Sequence, residues 1–260
     1  MSQDEKSRPS WLTHQSEIVR EANQLLSPVT RRAFGKQLLG LGSLTLLTGC
    51  ELTDDASVQV LLTALSRWND RAQEALFNPA QLAPTYSKSQ IKRPFPFNAY
   101  YGLDEVRQVS EQGFKLALSG LVKDKQPWTL EQLRLLPQTS QITRHICVEG
   151  WSAIGEWGGV PFATFLQRIG ADTTARYVGF RCADDYYTSI DMPTALHPQT
   201  LLALTFEEKT LPARYGFPMK IRIPTKLGYK NPKHVVEIIV SNDYLGGYWE
   251  DQGYNWFGGS

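Results

Sequence analysis

The chain has 260 residues, with 27 basic and 26 acidic side chains and a formal net charge of +1. That balance excludes a polyanion-coating role, because there is no surplus of cations to neutralise phosphates. A 42% hydrophobic content excludes a disordered chain and is enough for one sizeable core.

Residues 1–49 read as an address rather than as fold. Thr30-Arg31-Arg32-Ala33-Phe34-Gly35-Lys36 carries the Arg pair, Phe and Lys of a twin-arginine export signal. The apolar run over residues 38–47 is about half of the ~20 residues a membrane-spanning helix needs. Leu47-Thr48-Gly49-Cys50 then reads as a lipoprotein cleavage box with Cys50 as the acylated residue; the alternative is an uncleaved helix in which Cys50 is incidental. Residues 50–95 are expected to form a helix and a linker, and 96–260 one domain. Val58, Leu61, Leu62, Leu65, Trp68 and Ala72 recur at helical spacing until Asn78-Pro79. The Pro-rich, polar stretch 79–96 reads as an extended linker or wrapping loop.

Within the domain, alternating Phe114, Leu116 and Leu118 predict a strand, and Thr129 with Gln132 predicts a capping box opening a helix through Leu136. Pro161 fits the first position of a helix with Phe162, Phe165, Leu166 and Ile169 on one face and Gly170 at its end. Further strands are expected at 177–181, 201–206, 219–223 and 235–240. Short strands, few helices and long loops define an α+β fold.

Three features carry chemistry. Cys147 lies in Arg144-His145-Ile146-Cys147-Val148-Glu149-Gly150-Trp151-Ser152, where flanking cationic groups would hold it as thiolate, the form that ligates metals. A disulfide with Cys182 is the structural alternative for an exported chain. The second feature is a stretch free of acids between Leu211 and Val236 that contains Arg214, Lys220, Arg222, Lys226, Lys230 and Lys233. A strand there would put Lys220 and Arg222 on one face, and the following Gly-containing loop adds Lys226 and Lys230, a setting for phosphate. The third is Asp184-Asp185-Tyr186-Tyr187, in which one tyrosine hydroxyl could hydrogen-bond a substrate oxygen or relay a proton, the two aspartates reading as solvated turn residues. No C-x-x-C-H haem-attachment signal, nicotinamide fingerprint or flavin signature occurs.

The cysteine run, the basic stretch and the aromatic, Gly-rich ending resemble the sulfite oxidase superfamily over roughly 96–259. The branch most similar contains the catalytic subunit of periplasmic protein-methionine-sulfoxide reductase. The resemblance implies a single sulfite-oxidase-like molybdopterin-binding domain in which Cys147 is the molybdenum ligand, with Arg144 and His145 supporting it and the pterin. It implies that Asn98, Tyr101, Gly102, Cys182, Lys220, Arg222, Lys226, Lys230 and Lys233 contact the molybdenum-molybdopterin cofactor, and that Tyr186 or Tyr187 faces the metal. Tyr215, Lys220 and Asn231-Pro232 depart from that branch's pattern. The expected activity is oxygen-atom transfer, as reduction of a sulfoxide or N-oxide or as oxidation of a sulfite-type anion. A monomer fed by a separate haem-containing electron carrier is expected. The competing class is a non-enzymatic anion-binding lipoprotein.

Overall fold

The computed structural model describes residues 56–260, so the twin-arginine motif, the apolar run and Cys50 lie outside the described residues. The described residues form two units, 56–76 and 77–260. The first is a single helix, α1 (Ala56–Leu76), with no internal Gly or Pro and an Arg67–Asp70 ion pair one turn apart at 3.5 Å. It stops just before Asn78-Pro79, where the residue preceding proline is driven out of the helical region. Among the described residues, no helix is long and apolar enough to cross a membrane.

The second unit holds two sheets. One is ordered β1 (Ala117–Gly120), β9 (Val235–Ser241), β4 (Tyr177–Cys182), β5 (Tyr187–Asp191). Its β1 and β9 run parallel, with Leu118 opposite Ile238, while β4 is antiparallel to both its neighbours. The other sheet is built on a long hairpin, β2 (Thr139–Ile146) and β3 (Ser152–Pro161), in register from Thr139 opposite Gly159 to Ile146 opposite Ser152. Strand β6 (Leu201–Phe206) pairs with β3, and its far edge carries both β7 (Lys209–Thr210) and β8 (Lys220–Arg222). Three short helices complete the unit: α2 (Leu130–Arg134), α3 (Phe162–Arg168) and α4 (Met192–Ala195).

Local chemistry sets these boundaries. Thr129 accepts from the Gln132 amide and the Gln132 side chain caps back onto Thr129, so α2 opens on the expected box. The helix α3 starts one residue after Pro161 and closes near Gly170, whose φ of +62° is the left-handed conformation glycine tolerates best. Its Phe162, Phe165 and Leu166 are buried with Val178, Phe180, Leu202, Ile221 and Ile238 in the main core. Each such side chain contributes roughly 1.5–3 kcal/mol by leaving water. A second, aromatic core of Phe95, Trp157, Phe206 and Tyr215 packs edge-to-face, with Phe95 and Trp157 centroids 5.5 Å apart.

The α+β expectation holds, and four of the anticipated strands form within a residue of their expected bounds. Strand β1 starts three residues later than the Phe114–Leu118 alternation suggests. Leu116 instead makes an isolated bridge to Trp128, although Phe114, Leu116 and Leu118 are all buried. The hairpin β2–β3 and strand β5 are elements the sequence reading did not anticipate. Residues 77–95 run along that hairpin, with the Tyr86 amide donating to Ile142 O and the Lys92 amide to Ile154 O.

Candidate active site

The hairpin delivers Cys147. It follows the last residue of β2 in a tight turn, its amide donating to Trp151 O at 2.9 Å while its carbonyl accepts from Gly150 N at 3.1 Å. Gly150 takes φ +90° there, a value that disfavours side chains. Cys147 thereby lines an open cleft with Asn98, Tyr101, Asp184, Tyr186 and Lys233. Its Sγ lies 3.5 Å from Glu149 Oε2, which also accepts from the Trp151 indole at 2.8 Å. Cys147 and Cys182 are both free thiols, so the disulfide alternative is not what the structure contains.

The expected means of holding the thiolate needs correction. Burial first, and then the nearby Glu149 carboxylate, push the Cys147 thiol above its usual range. Arg144 does not oppose this, because strand alternation turns its exposed side chain to the other face, with its guanidinium 5.3 Å from the Tyr86 ring centroid. His145 does not oppose it either. Burial, then Arg222, Lys220 and Lys233, hold its imidazole far below the ordinary histidine range and therefore neutral.

Beside the thiol lies a buried bed of cations. Lys220 and Arg222 project from β8 on the same side, as their alternation with Met219, Ile221 and Ile223 required, and both are almost fully buried. Lys220 Nζ sits 4.6 Å from the Trp157 ring centroid. Arg222 donates to Asn231 Oδ1 at 2.9 Å, Arg144 O at 2.6 Å and Thr143 Oγ1 at 3.2 Å. Lys233 Nζ donates to Asn98 O at 2.7 Å and, more weakly, to Arg214 O at 3.4 Å. Burial drops the Lys233 pKa from 10.5 to about 8 and presses Lys220 well below its usual value, with Lys233 and Arg222 adding to the effect. Both His145 ring nitrogens, Arg222 Nε and Trp157 Nε1 are buried without a protein hydrogen-bond partner. Gly228 keeps this place open: a Cβ on it would stand 2.8 Å from His145 Nε2 and 3.3 Å from Asn98 Nδ2.

The structure does not bring Lys226 and Lys230 into this bed. Each is buried against an acid contributed from outside the acid-free stretch. Lys226 Nζ lies 3.5 Å from Asp191 and 2.9 Å from the Phe257 ring centroid, and Lys230 is bonded to Glu250. Local charge counting along 211–236 missed both partners because they are distant in sequence. Cys182 is buried, its thiol pushed up by burial and then by Asp184, with Lys233 acting the other way. Asn98 and Tyr101 line the cleft, while exposed Gly102 leads into the turn over 103–105. Of the two tyrosines, Tyr186 lines the cleft and donates to Tyr229 O at 2.5 Å, and Tyr187 is bonded to Asp251 and does not line it.

Two residues earned less weight in the sequence than the structure gives them. Asp184 lines the cleft, accepts from Tyr101 Oη at 2.8 Å and receives the Tyr100 hydroxyl on its carbonyl. It is therefore a packing anchor for the 98–102 segment rather than a solvated turn residue. Asn231 ties Arg222, the Ile223 amide and Leu227 O together through one side chain. Its signal was an amide residue placed before Pro232 among cations.

Among the described residues no group of three or more His, Cys, Asp and Glu stands ready to hold a metal ion. Cys147 is the only thiol among the residues that line the cleft. The buried cations and unpaired imidazole suit an anionic heterocyclic group with donors and acceptors of its own. Fold and site together define a metallocofactor oxidoreductase.

Comparison with known proteins makes this specific. The model of the oxidoreductase molybdopterin binding domain matches residues 104–249, and the chain belongs to that sulfite-oxidase-like family of molybdenum-dependent oxidoreductases. It is 66% identical over 230 residues to the putative protein-methionine-sulfoxide reductase subunit YedZ1 of Azospira oryzae, covering 88% of each chain. It is 30% identical over 208 residues to the protein-methionine-sulfoxide reductase catalytic subunit MsrP of Ralstonia nicotianae, covering 67% of this chain and 63% of that one. The solved structure of the sulfane dehydrogenase SoxCD from Paracoccus pantotrophus shares the fold at a TM-score of 0.50 and 20% identity, over 53% of this chain and 40% of that one.

Proposed function

We propose that this chain is the catalytic subunit of an exported reductase that removes oxygen from sulfoxides, methionine sulfoxide in polypeptides first among them. The observation that carries the reading is the lone cleft thiol of Cys147 beside Lys220, Arg222, Lys233 and an imidazole without a protein partner. Likeness to methionine-sulfoxide reductase subunits supplies the substrate class. Bound there, the cofactor supplies a two-electron couple suited to oxygen-atom transfer. In the net reaction the S–O bond breaks, two electrons and two protons enter, and a thioether and water leave.

The chain's own residues have distinct tasks in this scheme. Cys147 ligates the metal. Lys220, Arg222 and Lys233 hold the cofactor's anionic groups, and His145 and Asn98 meet its polar edge. Tyr186, kept protonated because burial, then Glu250, raise its pKa, would turn its one hydroxyl hydrogen from the Tyr229 carbonyl to the substrate oxygen. Tyr187 has no part in this. The Arg31-Arg32 pair and the box ending at Cys50 support export by the twin-arginine route and lipid anchoring, with electrons arriving from a separate haem-containing partner.

The test is direct. Protein from cofactor-replete cells is expected to carry molybdenum and pterin in equal amounts and to reduce methionine sulfoxide with a reduced viologen dye as donor. Cys147→Ser should abolish turnover, because an alkoxide is a harder and far less accessible ligand. Zinc in place of molybdenum, or full activity in that variant, would end the proposal. Replacing Arg31 and Arg32 with Lys should leave precursor in the cytoplasm, and Cys50→Ala should prevent lipid attachment.

A further inference from the structure

The cleft is electrically asymmetric. Its cations lie in the buried bed. Lys233 is the one cation among the cleft-lining residues, and its ammonium already serves two backbone carbonyls. The other charged lining residues are both acidic. Glu149 is exposed two residues from Cys147, and Asp184 is half-buried across from it in the β4–β5 turn. Each is fixed in place, Glu149 by the Trp151 indole and Asp184 by the Tyr101 hydroxyl. Much of the remaining wall is aromatic, with Tyr100 stacked on Tyr248 at 4.6 Å and Trp249 against Tyr254 at 5.1 Å. Tyr100 and Tyr254 are exposed. An aromatic wall favours a methyl thioether, whose polarizable sulfur packs on rings. The two carboxylates disfavour any anion that must reach the thiol, and they do so without contacting a neutral group.

From this arrangement we infer that Glu149 and Asp184 are charge-selecting residues, admitting uncharged or cationic sulfoxides and turning away oxyanions and sulfoxides that carry a nearby carboxylate. The inference rests on the proposed sulfoxide reductase reading and names the residues that set its substrate charge. It predicts a preference for methionine sulfoxide inside a polypeptide, where the neighbouring groups are amides, over the free amino acid or a sulfite-type anion.

The test compares two substrates with the same reacting group, N-acetylmethionine sulfoxide and its N-methylamide, on the cofactor-loaded enzyme with a reduced dye as donor. Exposed charges of this kind each change an interaction by a factor of about two to five. The wild-type kcat/KM ratio is expected to favour the amide by roughly fivefold or more at low salt. Raising ionic strength should erode that ratio by accelerating the carboxylate substrate alone. Glu149→Gln combined with Asp184→Asn, which keeps an acceptor for Tyr101, should bring the ratio below about twofold. An unchanged ratio in the double variant, or a wild-type ratio near one at low salt, would overturn the inference while leaving sulfoxide reduction in place. No reduction of either substrate by the loaded wild-type enzyme would instead refute the reading on which it rests. If the double variant does not fold, the salt series on the wild type decides the question alone.

Discussion

The buried Lys233 gives the most quantitative prediction. Folding lowers its pKa from 10.5 to about 8, chiefly by burial, with Asp184 and Cys182 opposing the change. Between those two values the folded chain holds fewer protons than the unfolded chain, so stability rises with pH across that window. Each pH unit is worth 1.36 kcal/mol per differential proton, which makes the whole window worth about 3 kcal/mol. Equilibrium urea unfolding of cofactor-free protein at pH 7 and pH 10, for wild type and for Lys233→Met, reads that group together with the shifts it imposes on Lys220 and Cys182. The wild type should gain about 2.5 kcal/mol relative to the variant on going to the higher pH. Loading the cofactor should close the gap, since an anion in the bed keeps Lys233 protonated in the folded state. Parallel pH profiles for the two cofactor-free proteins, within about 1 kcal/mol, would refute the reasoning that Lys233 is a desolvated cation awaiting an anion.

Lys230→Met should cost about 3–5 kcal/mol of stability, because it leaves Glu250 buried without its cation. The molybdenum content of the protein that does fold should stay at the wild-type level; thermal unfolding and elemental analysis read the two effects separately. Gly228→Ala would set a Cβ 2.8 Å from His145 Nε2, so the imidazole must shift, and it should lower pterin content more than thermal stability. Tyr186→Phe should lower kcat with little effect on cofactor content, whereas Tyr187→Phe, which loses the bond to Asp251, should show a modest loss of stability with kcat intact.

Much of this architecture could be read from residue order alone because the signals were local. Thr129 and Gln132 sit three apart, Pro161 precedes an apolar stripe, and Lys220 and Arg222 alternate with aliphatic residues that prove fully buried. The strands that hold the thiol were illegible for an equally physical reason. Strand β2 is Thr-Ser-Gln-Ile-Thr-Arg-His-Ile, polar along its length, and β3 carries three glycines. Gly159 is needed there because a Cβ would run into the backbone of Leu202 on the neighbouring strand, so the feature that weakens the strand signal is one that allows close packing. Side-chain partners at long range were likewise hidden. Nothing near Lys226 or Lys230 announces Asp191 or Glu250, and the two lysines look like phosphate ligands until those acids are seen. Tyr186 just precedes β5 and Tyr187 opens it, so which of them meets the cleft is a question one residue of register decides.

The placement of β9 has a consequence for assembly. This strand lies between β1 and β4, so residues 235–241 must arrive before residues 117–120 and 177–182 share a sheet. Contacts of such wide sequence separation are slow to form, since the intervening chain loses its entropy before any pairing rewards it. A nascent chain lacking β9 would display Val178, Phe180 and Leu118 on unpaired edges, prone to aggregation and accessible to chaperones. Lys233 and His234 immediately precede that strand, and the His234 amide, bonded to Gly216 O, pins the two together. Closing the sheet and completing the cation bed are thus one event, and a cofactor arriving earlier would find no bed in which to settle.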